Sequence, residues 1–167
     1  MTDEHRKMRL ELLQKLYGKL CEITPINDGT LIARAEYHHE DEKYYGMQSM
    51  NMWGLQDHEY VFIFSGDRLD SEAYEQAMER SQKESEGKLK PDRKLRSATL
   101  TTLLIYDDAD EDVKQKILKH DDKTYHKMSL NGWSIHRVAA VLTDSGDVVH
   151  DKRSTNLERR LKRISEL

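Results

Sequence analysis

Apolar positions recur along the chain with two different periods, and the alternation between those periods outlines the elements. Leu10, Leu13, Leu16, Tyr17 and Leu20 form a helical stripe, with Thr2 or Asp3 as its cap. That helix is expected to end before "TPINDG", where Pro25 and Asn27-Asp28-Gly29 punctuate the chain. Three strand-like stretches follow. "TLIARAEYHH" puts Leu31, Ala33, Ala35 and Tyr37 on one face, and "KYYGMQSMNMW" is Met-rich with a glycine, Gly46, that signals a bulge or a close approach. "EYVFIF" is a continuous apolar run, the pattern of a central strand covered on both faces.

A second helix is predicted from Asp70 or Ser71, with Leu69, Tyr74, Ala77 and Met78 inward. Its second half is almost wholly polar and is expected to project or fray before Pro91. "SATLTTLLIY" reads as the next strand, and "DADEDVKQKILKH" as a short helix with acids in its first turn and Lys119 and His120 in its last. "YHKMSL", the Asn131-Gly132 turn and "WSIHRVAAVL" read as a hairpin, followed by a short strand within "TDSGDVVHD". A last helix from Thr155 to Leu167 carries Leu157, Leu161 and Ile164 at helical spacing. The order is α-β-β-β-α-β-α-β-β-β-α, without linker or repeat. It predicts one α+β domain over residues 1–167: a mixed, mostly antiparallel sheet of about six or seven strands with helices packed on it. Hairpins imply antiparallel pairs, while strands flanking the middle helices can pair in parallel.

Composition changes this picture little. Of 167 residues, 35% are charged and 37% apolar, and the periodic runs mark a folded domain with a charged surface rather than a disordered chain. A net charge of −4 advertises neither a nucleic-acid nor a membrane partner. The charged opening "MTDEHRKMRL" and the lack of an 18-residue apolar stretch lead us to expect neither a signal peptide nor a membrane span. The single cysteine, Cys21, precludes an internal disulfide and fits a reducing, cytoplasmic setting.

Candidate chemistry centres on "EYHHEDEKYY". In a strand Glu36 and His38 share one face, and Tyr37 and His39 the other, so the adjacent histidines cannot hold one metal while the strand stays regular. The polar tip of a hairpin at His38-His39-Glu40-Asp41 is the favoured reading. A site would need Glu36 and His38 to meet Asp57 or Glu59 on a neighbouring strand. The remaining histidines, His5, His58, His120, His126, His136 and His150, form no recognised metal spacing. His136, beside Ile135 and "VAAVL", is expected to be a buried, satisfied core histidine, and His126 alternates onto the face of Met128 and Leu130. Cys21, flanked by Leu20 and Ile23, suits an inert packed thiol, and no nucleophile elbow or phosphate loop is present. In "YDDADED" a turn at Asp107 or Asp108, a cap at Asp110 and dipole pairing by Glu111 and Asp112 account for the acids better than Mg²⁺ or Ca²⁺ binding.

Two basic runs remain. Lys88, Lys90, Arg93, Lys94 and Arg96 form one; the other includes Arg159, Arg160, Lys162 and Arg163, which spread around the exposed side of the last helix, a solvated face that could meet phosphates. Tyr44, Tyr45, Trp53 and Trp133 are candidates for either the core or an interface with a second copy or a peptide.

"EKYY" (42–45), Trp53, "HEYVFIF" (58–64) and "NGW" (131–133) resemble a family of small uncharacterised prokaryotic proteins, a resemblance that implies no activity. The opening α-β-β-β-α-β order also resembles the core of the PD-(D/E)XK nuclease superfamily. That resemblance implies an acid near the second strand and an acid-x-Lys pair on the third, but Glu59-Tyr60-Val61 has valine in place of the lysine. The expected function is therefore non-enzymatic: a cytoplasmic binding domain or adaptor for a protein partner or for its own copies, without cofactor, metal or membrane. The enzyme alternative is a metal-dependent nuclease-like or phosphoesterase-like protein with Glu36, Asp57 and Glu59 catalytic, and Glu36, His38, Asp57 and Glu59 around the metal. A second alternative is nucleic-acid binding through Arg159, Arg160, Lys162 and Arg163.

Overall fold

The computed structural model describes residues 3–17, 22–38, 58–86, 97–125, 133–158 and 161–162. Its elements are α1 (Asp3–Tyr17), β1 (Glu22–Asp28), β2 (Leu31–His38), β3 (His58–Leu69), α2 (Ser71–Ser85), β4 (Ser97–Ala109), α3 (Glu111–Lys119), β5 (Asp122–Tyr125), β6 (Trp133–Leu142) and β7 (Asp147–His150), then a 3₁₀ turn at Thr155–Leu157. They build one mixed sheet in the order β1-β2-β3-β4-β6-β5, with β7 also on β6. The β1–β2, β2–β3, β5–β6 and β6–β7 pairs are antiparallel, and β3–β4 and β4–β6 are parallel. This is the α+β class and element order expected from the pattern.

One strand sits where none was expected. "EITPIND" is β1, hairpinned to β2 with Asp28 opposite Leu31 and Gly29 at φ 61° in the turn. The Asn-Asp-Gly signal was a true turn, joining two strands rather than a helix to a strand. The structure tolerates Pro25 because β1 is an edge strand with one side of its ladder unpaired, and the register slips between Pro25 and Asp28. The expected strand "KYYGMQSMNMW", with Gly46, Tyr44, Tyr45 and Trp53, lies outside the described residues, as do Cys21, the "KLKPDRKLR" run, His39, His126 and the Asn131-Gly132 turn.

The central strands are buried on both faces, as period-2 alternation of two apolar sets requires. Ala33, Ala35, Val61, Ile63, Leu103, Ile105, Ala139 and Val141 face α1 and the C-terminal Leu157 and Leu161. Phe62, Phe64, Leu100, Leu104, Tyr106, Val138, Ala140 and Leu142 face α2 and α3. Asp70 caps α2 by accepting from Ala73 N at 2.8 Å. The second half of α2 stays on the sheet through Ser85 instead of projecting: Ser81 and Ser85 are buried, and Ser81 Oγ accepts from Thr102 Oγ1 at 2.8 Å. Small hydroxyls pack closely and bond locally, so a polar stretch can still be an inward face.

Gly66 lies beside Tyr106 in the parallel β3–β4 ladder, and a Cβ there would come within 2.4 Å of the Tyr106 ring. At the same end of the sheet, Arg9 of α1 is buried. Its guanidinium donates to Ser65 Oγ (2.5 Å), to the carbonyls of Gly66 (3.2 Å) and Ile105 (3.0 Å), and to the Asp107 carboxylate. Four segments, α1, β3, β4 and the β6–β7 turn, are thus tied at one point, since Asp107 also accepts from Thr143 Oγ1 at 2.9 Å. Among the described residues no helix is long and apolar enough to cross a membrane.

Candidate functional site

Polar groups gather at both ends of the parallel strands β3, β4 and β6. At the amino ends, Glu59 is 1% exposed, on the α1 face of the sheet. Thr101 Oγ1 donates to its Oε1 at 2.5 Å, while its Oε2 and the neighbouring Thr99 Oγ1 are buried without a hydrogen-bond partner. Burial pushes the Glu59 carboxyl up to about 8, against the opposing effects of the Thr101 hydroxyl and the Arg137 charge. At neutral pH it is a protonated acid, which can donate a hydrogen bond but is a poor metal ligand until it ionises.

Glu36 does not join it. The register sets Glu36 opposite Tyr60 and Tyr37 opposite Glu59, so Glu36 and Glu59 lie on opposite faces of the sheet. Tyr60 feels both environments: burial raises its phenol first, and the Glu36 charge second. Of the four residues in the metal-site alternative, these two are therefore separated by a layer of backbone. The backbone of His38 pairs with His58, and its side chain, like all of Asp57, lies outside the described residues. Val61, at the position of the nuclease lysine, is 3% exposed in the apolar core.

Three of the "YDDADED" acids are held by cations and hydroxyls. Asp107 takes Arg9 and Thr143, and Asp112 accepts from Ser71 Oγ at 2.8 Å. Asp110 stands at the N-cap of α3 but makes no cap bond with its side chain, because Arg68 occupies its Oδ1 at 2.5 Å. Among the described residues no group of three or more His, Cys, Asp or Glu side chains could hold a metal ion. In the basic C-terminal segment, Lys162 pairs with Glu158 at 2.8 Å, and Arg159, Arg160 and Arg163 lie outside the described residues.

His136 is buried as expected but only half satisfied. Its Nε2 meets Thr102 Oγ1 at 2.9 Å, its Nδ1 has no partner, and burial lowers its basicity to about 3. The ring of His120 stands edge-on to it, centroids 5.4 Å apart at 81°. Only the spacing Asp122–His136 across the β5–β6 ladder could have signalled this pair, and strand register is not written locally in the sequence.

At the carboxyl ends of the parallel strands a recess of about 160 Å³ opens, lined by His5, Met8, Arg9, Ile105, Asp107, Thr143 and Asp144. In sheets with parallel strands this end is the usual place for ligands, because the connecting loops diverge there. Met8, 48% exposed, puts an apolar side chain on a rim otherwise charged. Sequence reasoning missed this recess, since its parts come from α1, the end of β4 and the β6–β7 turn.

No curated protein and no solved structure matches the chain. The expected likeness to an uncharacterised family is met: residues 10–163 match the model of a domain of unknown function, and the chain belongs to that family, DUF8052.

Proposed function

We propose that the chain is a non-enzymatic cytoplasmic binding domain that recognises a protein partner, another copy of itself included, through the recess beside α1. The observation that carries this reading is the recess itself: a concavity at the carboxyl ends of parallel strands, held open by the Arg9 clasp and edged by exposed Met8. An exposed apolar side chain set among charged ones is a common feature of a reversible interface. Asp107 and Arg9 are already engaged with each other within the fold, which suits recognition better than turnover.

Sedimentation velocity over a wide concentration range, together with selection of displayed peptides, tests the proposal. Concentration-dependent association, or an enriched peptide motif, is expected, and either should be lost in Met8→Asp. A protein that is monomeric throughout and enriches no motif overturns the reading. So does Mn²⁺-dependent cleavage of DNA or RNA that Glu59→Ala abolishes, which would establish the enzyme alternative. Salt-sensitive retention on DNA lost in Arg159→Ala/Arg160→Ala would favour nucleic-acid binding instead.

A further inference from the structure

In the recess beside α1 the Arg9 and Thr143 donors are spent within the fold, while carboxylate acceptors remain. Arg9 uses one terminal nitrogen on Ser65 and the carbonyls of Gly66 and Ile105, and the other on Asp107 and Thr143. Both side-chain bonds to Asp107, from Arg9 and from Thr143, end on its Oδ1, so Oδ2 stays open among the described residues. Asp144 lines the same recess and is exposed, its amide held to the Asp107 carbonyl at 3.0 Å. Its carboxylate makes no bond among the described residues. Arg9 offsets one of these two acids, and the charge of the other is left over. Arg6 and Lys7, the other cations on this stretch of α1, are engaged with Asn27 and Glu11.

Such a site suits a cation with hydrogens to donate, and its size narrows the choice. About 160 Å³ is below the roughly 300–1,000 Å³ of small-molecule and cofactor pockets. It is close to a cavity of about 150 Å³ that holds one benzene, so one side-chain head fits. Met8, 48% exposed at the rim, offers apolar surface to an aliphatic stem, and its flexible thioether adapts to what it meets. A guanidinium fork can meet two carboxylates at once, where an ammonium is a point charge, and arginine, unlike lysine, is enriched at protein interfaces. The geometry points to an arginine of the protein partner as the occupant, its stem along Met8 and its guanidinium on Asp144 and the open Oδ2 of Asp107. That occupant rests on the recess being the interface of the proposed function, and it adds the chemistry of the residue that enters.

Full-length, nitrogen-labelled protein is titrated by NMR with acetyl-glycyl-arginyl-glycinamide, and with the same tripeptide carrying citrulline, the neutral isostere, or lysine. Saturable shifts at the amides of Met8, Thr143 and Asp144 are expected with arginine, with citrulline weaker by at least about tenfold and lysine weaker too. Asp144→Asn should weaken arginine binding by at least about tenfold, while Asp147→Asn, at the start of β7 and outside the recess, leaves it unchanged. No saturable shift at those amides, citrulline or lysine binding as tightly as arginine, or affinity unmoved by Asp144→Asn overturns the proposal. The interface can survive that failure: association or a peptide motif that Met8→Asp abolishes but Asp144→Asn leaves intact keeps the interface and rules out the arginine. Neither association nor a motif removes the interface, and the arginine with it.

Discussion

Replacing Glu59 with glutamine should flatten the pH dependence of stability. In the folded protein the carboxyl keeps its proton up to a pH of about 8, because ionising it would bury a charge with one oxygen unpartnered. The unfolded chain loses that proton from about 4.5 upward. The folded state is thus the more proton-hungry one between these values. The contribution to stability is complete below pH 4.5, falls as pH rises through the window, and is gone above about 8. At about 1.4 kcal/mol per pH unit, the full window corresponds to roughly 5 kcal/mol, a ceiling that relaxation around the site reduces to a few kcal/mol. Glutamine has the shape of the protonated acid and can accept from Thr101, but does not titrate. Urea unfolding of both proteins from pH 5 to 9 gives the difference between them, in which every other titrating group cancels. The two should be of similar stability near pH 5, with the variant ahead by a few kcal/mol near pH 9. A difference constant to within about 0.5 kcal/mol across the series would refute the assignment of a proton-retaining acid in the sheet.

Gly66→Ala drives a methyl into the Tyr106 ring at 2.4 Å; overpacking of this kind costs about 1–3 kcal/mol and should show as a thermal midpoint several degrees lower. Arg9→Met strips the clasp from Ser65, Ile105 and Asp107, and the orphaned partners make the loss about 3–5 kcal/mol, with a double-mutant cycle to Asp107→Asn showing strong coupling. Asp151 is buried and accepts from Val138 N at 2.7 Å and Arg153 N at 2.9 Å, so Asp151→Ala should cost about 1–3 kcal/mol. Hydrogen exchange at the Val138 amide should then accelerate more than at Ile105, in the sheet interior.

The strands and helices with clean periodicity were legible before any coordinates. "EYVFIF" and "SATLTTLLIY" are the doubly covered β3 and β4, and the acid-to-base gradient of "DADEDVKQKILKH" marks α3. What escaped had local chemistry at odds with its place. β1 carries a proline and is mostly solvent-exposed, so it shows no apolar alternation. Ser81 and Ser85 look like a solvated helix face but pack on the sheet. Arg9 and Glu59, charged residues by type, are among the most enclosed side chains. For Arg9 and Glu59 that burial depends on partners more than 40 residues away, Ile105 for Arg9 and Thr101 for Glu59.

The sequence by itself determined most of the segments that extend or coil, though not β1, that one mixed sheet would result, and that Glu36 and His38 could act only with help from a neighbouring strand. Side-chain period is a short-range consequence of backbone geometry, so it can be read residue by residue. Only the tertiary structure decided who the neighbours are. Pairing Tyr37, not Glu36, with Glu59 put the two carboxylates on opposite faces, and pairing Asp122 with His136 put those two side chains on one face. A shift of one residue would reverse both outcomes, because each step along a strand exchanges the faces of the sheet. That register is set by the fit of two apolar layers across the whole sheet.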